Sequence, residues 1–134
     1  MKKVLVAYDG SAPAHRALEL AGDLAKGLGA TITLISVVPQ ELGLSVTVDP
    51  FDDAGVHQKQ LEDATAYIES RGLRAETLEP RGDPAKVIER VARADGYDTV
   101  VIGSRGLGGA ARLLLGSVSS HVANHAKGTV VIVH

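Results

Sequence analysis

Hydrophobic positions along the 134-residue chain follow two different spacings in alternation. Short apolar runs favour β-strands, and four of the five runs are continuous, as is typical of strands covered on both faces of a sheet. The third is weaker and alternates, placing Leu73, Ala75 and Thr77 on one face. The predicted strands are residues 4–7, 31–38, 73–78, 99–102 and 129–133.

Segments with helical spacing lie between these runs. After Ser11, a suitable N-cap, one apolar stripe continues to Leu28, and Gly27 and Gly29 are suited to end that helix. Asp83 and Pro84 open a later helix with a capping carboxylate followed by proline at the first helical position, and Ile88, Val91 and Ala92 form its inner face. The other two predicted helices cover residues 53–70 and 117–126.

The order of elements predicts the fold class. Strands that alternate with helices imply right-handed crossovers and a parallel sheet. We therefore expect one domain, residues 1–134, with a three-layer doubly wound α/β fold, in which helices cover both faces of a five-stranded parallel sheet. Ligands bind such sheets at the carboxyl ends of the strands, where strand order reverses. Two turns compete for that place, residues 9–11 and the glycine-rich stretch after the fourth strand, whereas residues 40–55 show no period and are predicted as a loop.

Composition removes several function classes. The chain has no Cys, which excludes disulfides and thiolate chemistry. Its net charge of −2 and its aromatic content of 3% argue against a nucleic-acid partner. No apolar run approaches the roughly 18 residues of a membrane span. The few apolar residues after Met1-Lys2-Lys3 are too short for a signal peptide, so we expect a cytoplasmic protein.

Charge is unevenly distributed along the chain. No Asp or Glu follows Asp98, whereas Arg105, Arg112 and Lys127 give residues 99–134 a formal charge of +3. A segment without carboxylates suits an anionic ligand, although chance alone also produces such short segments. This segment contains the glycine-rich stretch.

Five glycines crowd into the stretch after the fourth strand, and the last precedes a predicted helix: Gly103, Gly106, Gly108, Gly109 and Gly116. Glycines let a phosphate approach main-chain N–H groups, and a helix N-terminus adds unpaired donors and partial positive charge. The pattern predicts an anion cradle, in which Ser117 either caps the helix or binds a phosphate oxygen. A flexible linker is the alternative, which the apolar residues 113–115 disfavour.

Two better-known phosphate motifs do not fit this stretch. A P-loop requires Gly-Lys-Ser/Thr, which the stretch lacks. Residues 106–111 match the dinucleotide fingerprint in its Ala-ended form, but no acidic residue lies about twenty residues further on. We treat that match as accidental.

A third motif carries a resemblance to a known family. Gly103-x2-Gly106-x9-Gly116-Ser117 resembles the G-x2-G-x9-G-(S/T) nucleotide motif of the universal stress protein family. Residues 4–11 resemble that family's first strand and turn, and Gly82-Asp83-Pro84 resembles the segment before its third helix. The resemblance covers essentially the whole chain.

The resemblance to the ATP-binding branch implies a set of nucleotide contacts. Asp9 would hold the ribose, with Ala7 and Tyr8 alongside, and Val37 would contact adenine. Ile102 and Gly103 would line the adenine–ribose slot, and Arg105 would lie near the phosphates. The implied phosphate contacts are Gly106, Gly116, Ser117, Val118 and Ser119.

The resemblance also implies partners. ATP is the expected ligand, with AMP or cyclic AMP as alternatives, and Mg²⁺ can reach Asp9 only through bound ATP. A homodimer is expected through the fifth strand, Thr129 to Val133, an apolar edge whose pairing would remove its exposure. Bound nucleotide would then alter the dimer surface or the 40–55 loop, and with it the affinity for an unidentified protein partner in a stress response. The alternatives are a slow Mg²⁺-dependent ATPase and a nucleotide-free scaffold.

Other candidate chemistry in the sequence is sparse. His121 and His125 lie four residues apart on a predicted helix, a spacing compatible with one metal ion, but no third ligand is evident and we interpret them as surface histidines. His57 and His134 have no catalytic or metal-binding motif around them in the sequence. His15 is expected on the solvent side of its helix. Ser117 has no recognisable histidine partner for a catalytic triad.

Overall fold

The computed structural model describes residues 1–39, 54–105 and 115–134. In these ranges strands and helices alternate along the chain as the sequence predicts. None of the helices in the described part is long and apolar enough to span a membrane. The elements are β1 (Lys3–Ala7), α1 (Ala12–Leu28), β2 (Thr31–Ile35), α2 (Ala54–Ser70), β3 (Ala75–Leu78), α3 (Pro84–Ala94), β4 (Thr99–Gly103), α4 (Ser117–His125) and β5 (Thr129–Val133).

The five strands form one parallel sheet in the order β3-β2-β1-β4-β5. The central strand β1 pairs on both sides, so that Val4 lies opposite Ile32 of β2 and Thr99 of β4. The chain therefore builds outward from β1 in one direction and then in the other, and strand order reverses between β1 and β4. The predicted doubly wound α/β fold is confirmed.

Two separate apolar cores cover the two faces of the sheet. Val4, Val6 and Leu34 point to one face and pack against α1 and α2, including the fully buried Leu18 and Ile68. On the other face the core against α3 and α4 contains Leu5, Ile35, Ile88, Val100 and Val122. Because successive strand residues point to opposite faces, burial on both sides explains the continuous apolar runs.

Local helix signals act as the sequence predicts. The Ser11 side chain accepts a hydrogen bond from the Ala14 N–H at 3.2 Å, and α1 ends at Gly29 in the left-handed conformation, with φ 68°. The Asp83 carboxylate likewise accepts from the Lys86 N–H at 3.1 Å, ahead of Pro84 in the first turn. Each cap satisfies a backbone donor that the helix itself leaves unpaired.

Two predicted strands are shorter in the structure. β2 ends at Ile35 rather than at residue 38, because the regular strand pairing stops there. Beyond it, an isolated bridge between Val38 and Arg81 joins the backbone to the segment after β3. β3 begins at Ala75 rather than at residue 73, because the Leu73 N–H bonds back to the Ile68 carbonyl at the end of α2. Thr77 is exposed on this edge strand and does not share a buried face with Ala75.

The predicted helix faces also need small corrections. Leu28 is 59% exposed, because it lies in the last turn of α1 beyond the sheet. In α3 the buried residues are Val87, Ile88 and Ala92, whereas Val91 is half-buried. Residues 40–53 of the predicted loop, and the predicted helix start at residue 53, lie outside the described residues; residues 54 and 55 already belong to α2.

Candidate functional site

The candidate site lies where strand order reverses, at the carboxyl ends of β1 and β4. Both turns that competed in the sequence meet there: residues 8–11 follow β1, and residues 104 and 105 follow β4. A hydrogen bond joins them, since the Ser11 hydroxyl lies 3.4 Å from the Arg105 carbonyl oxygen. The two turns therefore form one site and not two alternatives.

The β1–α1 turn presents a carboxylate at this site. Asp9 is half-buried, and its Oδ1 accepts the Ser11 N–H at 2.9 Å, which fixes the turn. Gly10 has φ 81°, a backbone conformation that residues with a side chain rarely adopt. The local hydrogen bond uses one of the two Asp9 oxygens, so the carboxylate retains acceptor capacity.

Gly103 permits an unusually close approach between β4 and α1. A Cβ atom at this position would lie 2.7 Å from the Ala14 backbone nitrogen and 2.8 Å from the Pro13 carbonyl carbon. These neighbours are backbone atoms of the first turn of α1, which cannot rotate away. Gly103 thus sets the distance between the two halves of the site.

Ser104 organises the start of the phosphate cradle predicted from the glycine motif. Its N–H donates to the Val133 carbonyl of β5 at 2.7 Å. Its carbonyl oxygen accepts both the Gly116 N–H at 2.6 Å and the Ser119 hydroxyl at 2.8 Å. The Ser119 hydroxyl also lies 3.1 Å from the Gly116 carbonyl, so this buried side chain ties α4 to the end of β4.

The N-terminus of α4 is held in this cradle without a side-chain cap. Gly116 occupies the cap position with φ −74°, and Ser117 is the first helical residue. The interpretation of Ser117 as the helix cap is therefore wrong, because the residue lies inside the helix. Helix geometry leaves the N–H groups of Ser117, Val118 and Ser119 without an intrahelical acceptor. Such a terminus favours an anion.

Four predicted contact residues share one apolar wall. The side chains of Ala7, Val37 and Ile102 belong to the core on the α3/α4 face, and half-buried Val118 packs against it. The first three are 6–9% exposed. The structure thus brings together residues from the ends of three adjacent strands and the start of α4.

Tyr8 lies on the opposite face of the sheet from this wall. Its ring joins the α1/α2 core and is only 9% exposed. Burial, followed by the nearby negative charges of Asp63 and Asp9, raises the pKa of its hydroxyl above the ordinary value. Tyr8 remains neutral at physiological pH and contributes to the site through its backbone position beside Asp9.

Two predicted phosphate contacts differ in what the structure reveals. Arg105 is half-buried directly after Ser104, and its carbonyl accepts from Ser11. Gly106 lies outside the described residues. The middle of the glycine motif is therefore known from sequence alone, while both of its ends are placed.

A polar cluster beside the site was not predicted from the sequence. His57 of α2 is buried, and its Nδ1 lies 2.6 Å from the hydroxyl of buried Ser36, just beyond β2. Gln60 lies one turn further along α2, with its side-chain nitrogen 2.8 Å from where a Gly10 Cβ would lie. A signal was present, because His57 extends the helical spacing of the buried residues Leu61, Ala64 and Ile68.

The histidine pair of α4 is only partly a surface feature. His121 Nε2 donates to Glu89 Oε2 of α3 at 2.8 Å, a hydrogen bond that lowers the pKa of the Glu89 carboxyl. The His125 ring stacks on His121 at 4.1 Å, and its Nδ1 donates to the His121 carbonyl. No cluster of three or more potential metal ligands occurs among the described residues.

The remaining histidines have local partners. His15 is exposed, as predicted, 3.5 Å from Glu19 and beside the ring of Tyr67. The His134 carbonyl accepts from Arg16 Nε at 2.5 Å. Of these three histidines, His57 is the one that lies in a buried polar cluster, contrary to the sequence prediction.

Fold and site together define an α/β protein. At the point where the strand order of its parallel sheet reverses, it presents a carboxylate and a helix N-terminus without a side-chain cap. Residues 1–134 match the sequence profile of the universal stress protein family. The chain is 33% identical to the universal stress protein YxiE of Bacillus subtilis, covering 98% of this chain and 97% of that protein. The chain belongs to the universal stress protein family.

Solved structures agree with the fold. The universal stress protein UspA from Lactobacillus plantarum superposes with a TM-score of 0.88 at 24% identity, covering 99% of this chain and 97% of that one. A universal stress protein solved in complex with cAMP gives a TM-score of 0.75 at 26% identity, with coverage of 99% and 97%. Structures that share this fold carry AMP, cAMP or dAMP.

Proposed function

We propose that this protein binds an adenine nucleotide, ATP in particular, at the carboxyl ends of β1 and β4, where strand order reverses. One observation carries the proposal: the Ser104 carbonyl holds Gly116 and Ser119 so that the uncapped N-terminus of α4 faces the end of β4. A helix terminus fixed in this way supplies unpaired N–H donors for phosphate oxygens. The cAMP complex of a 26%-identical relative supports the adenine nucleotide class.

The phosphates are assigned to the glycine motif. The backbone N–H groups of Ser117, Val118 and Ser119 would bind phosphate oxygens, together with Gly106 and the exposed Ser117 hydroxyl. Because the Gly116 N–H is bonded to the Ser104 carbonyl, Gly116 would line the phosphate site without donating to it. The Ser119 hydroxyl is engaged with two carbonyl oxygens, so its side chain braces the cradle. Arg105 adds positive charge beside it, in a segment that has no carboxylate.

The nucleoside is assigned to the apolar wall and the β1–α1 turn. Adenine would contact Val37, Ala7 and Ile102, an aliphatic wall that suits a chain with 3% aromatic residues. The unengaged oxygen of Asp9 would accept a ribose hydroxyl, and Gly103 would line the slot between them. Mg²⁺ would reach Asp9 through the triphosphate.

We expect ATP to raise the midpoint of thermal unfolding more than AMP or cyclic AMP, because the triphosphate uses more of the cradle. GTP should give a clearly smaller shift, because the slot is assigned to adenine. Ligand at about 100 times its dissociation constant adds about 2.7 kcal/mol to the free energy of unfolding. A thermal-shift series with the four nucleotides, with and without Mg²⁺, measures this order.

The series also separates the alternatives. A nucleotide-free scaffold would show no shift with any of the four nucleotides. A slow ATPase would in addition release ADP linearly with time, only with Mg²⁺ present, and lose that release in Asp9→Ala. Equal shifts with ATP and GTP would contradict the adenine assignment.

The proposal includes a homodimer formed through β5. This strand pairs with β4 alone among the described strands, so one edge carries unpaired backbone groups. Val130 to Val133 are half-buried, and such an apolar edge is a template for pairing with a second strand. Ser104 already bonds to Val133 from the β4 side of this strand, so a dimer formed through the other edge of β5 would connect the cradle to the interface.

Val131→Lys is expected to convert the dimer to a monomer, because it places a charge on the half-buried edge strand. Sedimentation equilibrium would give twice 13.9 kDa for the unchanged protein and 13.9 kDa for the variant. The matched control is Thr77→Lys, on the opposite edge strand β3, which should remain dimeric. A dimer that persists in Val131→Lys but dissociates in Thr77→Lys would assign the interface to the other edge.

A further inference from the structure

A polar cluster of buried Ser36, buried His57 and half-buried Gln60 connects two walls of the candidate site. Ser36 directly precedes Val37 of the apolar wall, and its hydroxyl meets His57 Nδ1 at 2.6 Å. Gln60 covers Gly10 of the β1–α1 turn: its nitrogen, Cδ and Cγ lie 2.8, 3.2 and 3.4 Å from the position of a Cβ there. Helix α2 thus touches the end of β2 and the turn after β1 through one polar group each.

Within residues 1–39, 54–105 and 115–134, two buried atoms of this cluster have no hydrogen-bond partner: His57 Nε2 and Gln60 Oε1. The two residues lie three positions apart on α2 and therefore on the same face of the helix. Buried polar side-chain atoms are paired in the large majority of cases, so two unpaired atoms on one helix face need an explanation.

The chemistry of the cluster defines what is missing. If the Ser36 hydroxyl donates to His57 Nδ1, its hydrogen and that nitrogen are both satisfied. If Nδ1 donated instead, the buried Ser36 hydrogen would have no acceptor among the residues that the structure describes. The first arrangement places the imidazole hydrogen on Nε2. The cluster therefore offers one unpaired donor, His57 Nε2–H, and one unpaired acceptor, Gln60 Oε1.

We propose that Ser36, His57 and Gln60 form a hydroxyl-binding subsite, in which His57 Nε2–H donates to one hydroxyl oxygen and Gln60 Oε1 accepts its hydrogen. A hydroxyl group both accepts and donates, and so satisfies the two atoms at once. Two molecules supply this group: a resident water, or a ribose hydroxyl of the nucleotide. The second source rests on the proposed function, whereas the first does not.

The tautomer can be tested on the unmodified protein. In a ¹⁵N-correlated NMR spectrum of the imidazole groups, His57 is expected to show a protonated Nε2 and a hydrogen-bond-accepting Nδ1. An oxygen within about 3.2 Å of both His57 Nε2 and Gln60 Oε1 should be present in crystals grown with ATP if ribose supplies it, and in crystals grown with and without ATP if water does. An unprotonated Nε2 in the NMR spectrum, or the lack of such an oxygen in both crystals, would overturn the subsite.

Affinities separate the two sources of the hydroxyl. If ribose supplies it, 2′-deoxy-ATP or 3′-deoxy-ATP should bind about 10-fold more weakly than ATP, and His57→Phe should reduce that ratio to near 1. If water supplies it, the oxygen is present in both crystals and His57→Phe leaves the ratio unchanged. The control is His125→Phe, an exposed histidine at the far end of α4, which should change neither result.

Failure of the proposed function remains distinguishable from failure of the subsite. If no nucleotide binds, the oxygen and the tautomer in the nucleotide-free protein still decide whether the subsite exists. Gln60→Leu provides a second variant that removes the acceptor and keeps the bulk of the side chain. It should lower the unfolding midpoint when water is the source.

Discussion

Gly103→Val is expected to destabilise the protein by about 3 kcal/mol, at the upper end of what overpacking costs. A Cβ at this position would lie 2.7 Å from the Ala14 nitrogen and 2.8 Å from the Pro13 carbonyl carbon. Both are backbone atoms, and the Ala14 N–H is fixed by its bond to the Ser11 side chain. Relief requires α1 to move away from β4, which separates the two turns of the site. Urea denaturation of the nucleotide-free protein measures the loss.

The matched control for this substitution is Gly27→Val. Gly27 is exposed in the last turns of α1, and a Cβ there would meet no other atom within 4 Å. Valine and glycine differ by only a few tenths of a kcal/mol in helix propensity. The control should unfold within about 0.5 kcal/mol of the unchanged protein. If Gly103→Val were equally mild, the close approach of β4 and α1 would be wrong.

Gly116→Val is expected to weaken ATP binding about 100-fold while the fold is kept. Gly116 has φ −74° and ψ 170°, which valine adopts without strain. A Cβ would lie 3.3 Å from the Ser104 carbonyl oxygen and 3.4 Å from the Arg105 Cα, a tight fit on that side. We expect the two methyl groups to occupy space assigned to phosphate. Losing one or two charge-assisted hydrogen bonds, at about 1.5–3 kcal/mol each, corresponds to that factor.

The same control variant serves this experiment. Gly27→Val makes the identical substitution in the helix that follows the β1–α1 turn, but at its far end. Its ATP dissociation constant should equal that of the unchanged protein. Unchanged affinity in Gly116→Val would place the phosphates elsewhere, and a collapsed fold in the nucleotide-free variant would show that Gly116 is needed for packing.

The features that sequence predicted are those set by local pattern. A few adjacent residues determine each of these features: the apolar runs of β1 and β4, the caps at Ser11 and Asp83, and the glycine motif. The family resemblance then joined the motif to the β1–α1 turn. The structure adds their direct contact, through Ser11 and the Arg105 carbonyl.

The features that sequence missed depend on residues far apart in the chain. Ser36 looked like one polar residue in an apolar run, because its partner lies 21 residues further on. Ser104 bonds to three positions in two other elements, none of which a local pattern reveals. The error at Thr77 has another cause, because alternation in an edge strand does not show how far the helices cover its faces.

Calorimetric titration of the unmodified protein with ATP is the decisive measurement of nucleotide binding. We expect a saturable heat of binding with one ATP per chain, and a heat of binding with AMP or cyclic AMP that reflects the shared adenosine. The absence of any binding heat with ATP, AMP and cyclic AMP, at protein concentrations where the fold is intact, would contradict it.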